Sequence, residues 1–138
     1  MRKGPAPAGG YRLSSDPADL DIDGIHAHLT ESYWAAGITV EAVRRSIEGS
    51  LVNVGVFDEG GNQVGFARAV SDGATFAWIA DVYVLAGHRG KGLAEWMVAE
   101  LVADPRLAGL RRVVLATRDA QRLYEKVGFG PLPYPERW

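Results

Sequence analysis

Residues 81–97 read DVYVLAGHRGKGLAEWM. A β-branched, aromatic run gives way to Gly87, Gly90 and Gly92, interleaved with His88, Arg89 and Lys91, and a helical pattern starts at Leu93. Ordering glycine costs backbone entropy, so glycines set among cations at a helix start need a reason. Gly90 and Gly92 let the backbone curl tightly and come close to a ligand. The helix behind them aims its free N–H groups and the positive end of its dipole at one point. Such a turn suits an anion, phosphate above all. The plainer alternative is a loop that only turns a corner.

Spacing excludes two phosphate-binding turns. A P-loop needs a hydroxyl residue after its lysine, and Lys91 is followed by Gly92. A dinucleotide turn needs a third small residue and follows the first strand. Glu95 stands at that third place, and this turn follows a late strand.

Working outward, ATFAWIADVYVL (74–85) reads as the central strand. Before it, VNVGVF (52–57) and QVGFARAV (63–70) flank the hairpin turn DEGGN (58–62). Ser71-Asp72-Gly73 is a second turn. Ile22, Ile25, Leu29 and Tyr33 mark one face of a helix, and Thr39 caps another that carries Val40, Val43, Ile47 and Leu51. A short strand is expected at Tyr11–Ser14. Downstream, Leu93, Met97 and Leu101 line a helix that Asp104-Pro105 ends. A short strand over 112–117 comes next, then a helix over 119–127 with Ala120, Leu123 and Val127 inward and Gly128 closing it. Phe129 opens a final short strand. Consecutive strands with short turns must be antiparallel, and a strand–helix–strand unit parallel. The class is α+β, a single domain over 11–138. Residues 1–10, rich in Gly, Pro and Ala, read as disordered.

Composition bounds the function. The 138 residues are 47% apolar and 23% charged with net charge -2, so nothing global points to nucleic acid or an anionic membrane. Cysteine is absent, which excludes disulfides, thiolate metal sites and a cysteine nucleophile. The start, MRKGPAPAGG, lacks the apolar run of a signal peptide. No stretch approaches the roughly 20 apolar residues of a membrane span. A cytoplasmic protein is the expectation.

Two blocks then resemble the GCN5-related N-acetyltransferase (GNAT) superfamily. Its signature, Arg/Gln-x-x-Gly-x-Gly/Ala between a central strand and a helix, is matched by Arg89-Gly90-Lys91-Gly92-Leu93-Ala94. Its second block, an alanine, an apolar residue with tyrosine, then Gly-Phe, is similar to Ala120 through Phe129. The resemblance covers nearly all of residues 11–132 and implies a mixed, mostly antiparallel sheet of six or seven strands with splayed central strands and about four helices. It also implies acetyl-CoA as co-substrate and no metal. Backbone N–H groups from Arg89 through Ala94 would hold the pyrophosphate. The pantetheine arm would pair with the strand edge at Val82 and Val84 like an added strand, and Ala120 would join this cofactor-binding set. Core packing of the valine side chains is compatible with that role.

The implied reaction is direct attack of an unprotonated amine on the thioester. A backbone N–H near Val84 would stabilise the oxyanion. Tyr124 falls where the family places the general acid, and a phenol of pKa about 10 suits a thiolate whose acid is about 8.5. Without the resemblance, a core tyrosine on an amphipathic helix is the simpler reading of Tyr124. Asp81 interrupts the apolar run, which makes it a base or substrate ligand, or else the ion-pair partner of Arg68. Strand parity turns Asp81 and Tyr83 away from Val82 and Val84, unless a bulge intervenes. Glu31, Tyr33 and Trp34, on the first helical segment, would shape the acceptor pocket, where His26 and His28 also lie. At i, i+2 these histidines diverge and make no metal site.

Relatives often carry Pro where Ala86 stands and Asn where Thr117 stands. The expected acceptor is a small primary amine. A protein N-terminus or lysine is the second choice, and a non-catalytic acyl-CoA-binding module the third. Dimers are common in proteins of this kind, and a partner subunit is one way to complete a short sheet edge.

Overall fold

A computed structural model describes residues 7–137. Most of the 1–10 segment lies outside them. The elements are β1 (Arg12–Ser14), α1 (Ile22–Leu29), α2 (Val40–Glu48), β2 (Val52–Phe57), β3 (Gln63–Ser71), β4 (Phe76–Val84), α3 (Leu93–Val102), β5 (Arg112–Val114) and α4 (Gln121–Lys126). They form one sheet in the order β1-β2-β3-β4-β5, with β4 and β5 parallel and the other neighbours antiparallel. The fold is the expected α+β arrangement of a mixed sheet and four helices.

Among the described residues, five strands replace the expected six or seven. The segment after α4 contains Pro131 and Pro133, which lack the N–H a ladder needs. Phe129 turns back instead. Its N–H donates to the Tyr124 carbonyl at 3.0 Å, and its ring meets the Tyr124 ring edge-on at 6.0 Å. β5 is also shorter than the expected 112–117.

The hydrophobic period of each helix decides its face. Leu93, Met97 and Leu101 of α3 cover Val54, Val56, Ala67, Ala69, Ala77 and Ile79 on one side of the sheet. Burying each of the Leu, Met, Val and Ile side chains contributes about 1.5–3 kcal/mol, and each alanine less. On the other side, Ile25 and Leu29 of α1 and Val43 and Ile47 of α2 pack on Phe66 and Tyr83. The caps fix both helix starts. The Asp21 carboxylate accepts from the Gly24 N–H and the Thr39 hydroxyl from the Ala42 N–H, each at 3.1 Å. α1 stops at Leu29, before Tyr33. The Ser32 hydroxyl donates to the Leu29 carbonyl at 2.6 Å and accepts from the Ala35 N–H at 3.1 Å, which folds residues 30–37 into turns. Tyr33 and Trp34 therefore stand outside the helix, exposed.

Two irregularities of β4 shape the cleft beside it. β4 pairs with β5 only at Phe76, Ala77 and Trp78, so its edge runs on through Val84 with no strand beside it on that side. Against β3 the register passes from Phe66↔Tyr83 to Arg68↔Ala80, so β4 carries one extra residue. Asp81 sits there in the left-handed region, φ 57°. A bulge of this kind switches face parity. Ala77 and Ile79 face α3 before it, and Val84 faces α3 after it, while Tyr83 faces α1 and α2.

Candidate active site

Beyond its pairing with β5, the free edge of β4 borders a cleft of about 1030 Å³. Its floor is Val82, Tyr83 and Val84, and one end is the turn with Arg89, Gly90, Gly92, Leu93 and Ala94. The α1 side contributes His28, Glu31, Tyr33 and Trp34, and the α4 side Ala120, Leu123 and Tyr124. Of the residues expected from sequence, Asp81, Lys91 and His26 do not line it. The Lys91 ammonium lies 6.0 Å from the Tyr11 ring centroid instead.

Gly90 and Gly92 have φ of 78° and 77°, and a Cβ at either would enter open space. Only glycine reaches this conformation without strain. The first backbone bond of α3 runs from the Trp96 N–H to the Gly92 carbonyl at 3.1 Å, and Gly92 has no side chain to cap the turn. The amides of the first turn are left for an external acceptor. Arg89 donates through Nε to the Val84 carbonyl at 2.9 Å, which ties the turn to the end of β4.

Tyr124 is 9% exposed and its hydroxyl has no hydrogen-bond partner among the described residues. Burial, then the neighbouring Tyr33, pushes its phenol pKa up. The Arg118 guanidinium lies 3.9 Å above the Tyr33 ring, and Trp34 meets Tyr33 edge-on at 5.1 Å. This stack narrows the cleft between the α1 and α4 sides.

The pairing alternative for Asp81 is the one observed. Its carboxylate accepts from Arg68 Nε at 2.7 Å and from the Trp34 indole N–H at 3.0 Å. With 17% and 8% of their side chains exposed, Arg68 and Asp81 are a largely buried pair. Asp81 thus holds the Trp34 turn to β4 rather than lining the cleft. The bulge turns it to this face; regular pleating would have set it with Ala77 and Ile79 against α3.

The sequence profile of the acetyltransferase (GNAT) family matches residues 11–129. A GNAT-family protein of Xanthomonas campestris, solved as a crystal structure, is 43% identical over 93% of this chain and 89% of its own, with a TM-score of 0.87. The chain belongs to the GNAT acetyltransferase family. A Gibberella zeae protein named as a candidate acetyltransferase is 34% identical over 86% of this chain and 77% of its own length. A Clostridium acetobutylicum protein described as an acetyltransferase, solved with acetyl-CoA, shares the fold at 19% identity, with a TM-score of 0.66 over 91% of this chain and 92% of that one.

In this GNAT chain the glycine cradle, the uncapped amides and the unpaired β4 edge together fit a CoA thioester. At the two departures from the family pattern, Ala86 lies in a short helical turn after β4, and the Thr117 hydroxyl accepts from the Ala120 N–H at 3.0 Å, shaping the entry to α4. Among the described residues no cluster of three or more His, Cys, Asp or Glu is placed to hold a metal ion. Nor is any helix among them long and apolar enough to cross a membrane.

Arg118 and His28 line the cleft with no role that the sequence alone assigns. Arg118 carries no signal, since only the fold brings it over Tyr33. His28 does carry one. It stands at i+3 from Ile25 and next to Leu29, on the flank of the buried stripe. Its imidazole stacks on the Tyr83 ring at 4.0 Å and 14°, which turns it to the sheet and the cleft floor. His26 goes elsewhere, its Nε2 lying 3.0 Å from the Ile38 carbonyl oxygen.

Proposed function

We propose that this GNAT protein is an acetyl-CoA-dependent N-acetyltransferase that modifies a primary amine of a small molecule. One observation carries the reading: a buried phenol without a hydrogen-bond partner among the described residues, an unpaired strand edge and a glycine-cradled helix start all open on one cleft. Acetyl-CoA, when bound, supplies an acetyl group activated as a thioester. The amides that Gly90 and Gly92 expose, through Leu93 and Ala94, would hold its pyrophosphate. The backbone of Val82 and Val84 would take its extended arm as an added strand, with Leu93 and Ala120 against it. A backbone N–H near Val84 would face the developing oxyanion. Tyr124 keeps its proton at neutral pH and gives it to the sulfur.

The acceptor end favours a small amine. Tyr33 and Trp34, braced by Arg118, narrow that end, and exposed Glu31 offers negative charge to an ammonium. The Clostridium protein solved with acetyl-CoA supports the choice of co-substrate. The test is thiol release from acetyl-CoA with amino acids, polyamines, amine-bearing antibiotics and lysine or N-terminal peptides. A small amine is expected to turn over. Turnover with peptides alone would move the acceptor to protein, and tight CoA binding without turnover would leave a binding module.

A further inference from the structure

Amide formation from an alkyl ammonium begins with the loss of a proton held at a pKa near 10. Asp81 is engaged by Arg68 and Trp34, so another group must accept it. The cleft offers few candidates. His88 is tethered through one ring nitrogen, its Nδ1 lying 2.8 Å from the Tyr11 hydroxyl. Glu95 pairs with Lys126 at 3.2 Å. Glu31 and Asp119 line the rim and are exposed to water. Half-burial is shared with His88 and Glu95, but His28 alone combines it with a face-to-face stack on Tyr83 and no hydrogen bond to either ring nitrogen among the described residues.

We infer that His28 is the base that takes the proton from the acceptor ammonium. This rests on the transferase reading. Burial, then the charge of Arg89, lowers its pKa below 6.5, so the ring is neutral and basic at the pH of the cell. A base poised near the working pH is the efficient one. The groups around it are Glu31 beyond its own helix, Tyr83 from β4, His88 and Arg89 from the turn, and Tyr124 and Asp119 across the cleft. The Tyr83 phenol is itself pushed up by burial and by the charges of Asp21 and Asp81, so it stays neutral beneath the imidazole.

The protons balance. The ammonium gives one proton to His28, which passes it to water. The nitrogen–carbon bond forms as the carbon–sulfur bond breaks. The nitrogen loses its second proton to water, and Tyr124 gives one to the sulfur and regains one from water. The net products are amide, thiol and one released proton.

The experiment compares pH profiles of the parent, His28→Gln, Glu31→Gln and Asp119→Asn with the best amine of the panel. It also follows the His28 imidazole by NMR, assigned by its loss in His28→Gln. Expected are a kcat about 100-fold lower in His28→Gln, loss of the acid limb in that variant alone, and unchanged acetyl-CoA affinity. The imidazole of the parent should titrate below 6.5 and shift when the amine is added. An unchanged acid limb in His28→Gln, its loss in Glu31→Gln or Asp119→Asn instead, or an imidazole titrating at or above 6.5 overturns the assignment. A parent that binds acetyl-CoA but turns over no amine overturns the transferase reading and this one with it.

Discussion

A phenol that must hand a proton to a departing thiolate has to keep that proton until the bond breaks. In the proposed reaction Tyr124 is that phenol, and it meets the condition through burial, which raises its pKa, with the nearby Tyr33 adding to the effect. A hydroxyl with no partner among the described residues is free to turn to the sulfur. Tyr124→Phe should therefore lower kcat by about 100-fold while acetyl-CoA affinity changes little, because the ring still packs against Phe129. Equal turnover in variant and parent, measured by thiol release, would make Tyr124 a core residue. The sequence places Tyr124 on the right helix but leaves the acid and core readings open, and the structure explains why: the side chain is both buried and on the cleft wall. Asp81 is ambiguous in sequence for a different reason. A one-residue bulge leaves no mark in composition or alternation, so nothing in the local sequence says that Asp81 turns to Arg68. Removing one partner of a buried pair commonly costs about 3–5 kcal/mol, so activity lost on changing Asp81 does not by itself identify a base.

At the scale of elements, the glycine turn and α3 act as one unit. The turn leaves the first amides of α3 uncapped, and a side chain at Gly92 would meet open space but strained φ. Aspartate is among the residues that best tolerate this region and the best helix caps. Gly92→Asp should thus leave α3 intact while its carboxylate takes the amides and repels phosphate. Two unit charges 4 Å apart interact by about 4 kcal/mol at an effective dielectric of 20, and about 1.4 kcal/mol is already tenfold in affinity. The acetyl-CoA Kd by calorimetry should rise at least about tenfold, with a modest loss of Tm from the strained φ; an unchanged Kd would remove the phosphate site from this turn. The turn is legible in sequence because a tight approach beside a helix start leaves so few residue choices. The hairpins and capped helices are legible for the same local reason. The length of β5 and the absence of a sixth strand among the described residues are not. Both depend on pairing between distant segments, and the strand pattern around Phe129 masks the meaning of Pro131 and Pro133.

At the scale of the molecule, two helical layers sit on opposite faces of the sheet, and the cleft lies where the sheet parts between them. The α1–α2 layer is the thinner. It rests on the small cluster of Ile25, Leu29, Val43, Ile47, Phe66 and Tyr83, and His28 stacks at its edge. Because burial lowers the His28 pKa, the unfolded chain binds that proton before the folded one does. Above pH 6.5 neither state holds it and stability is unaffected; as the pH falls below 6.5 the unfolded state gains and stability drops. Asp58 and Asp72 act lower on the scale. Hydrogen bonds led by Asn62 for Asp58 and Thr75 for Asp72 hold their carboxyls below 3.8, so their contribution is intact above that value and lost only as the pH falls through their folded pKa values. Between about pH 7.5 and 5 the slope therefore belongs to His28 among the groups whose titration is displaced. Solvent discounts the effect at a half-exposed ring, so the fall in Tm is small. Calorimetric Tm should fall slightly in the parent and stay flatter in His28→Gln. Parallel curves for the two proteins would mean that the imidazole is as free to charge in the fold as in the unfolded chain, and that the α1 edge is open to water at its contact with Tyr83.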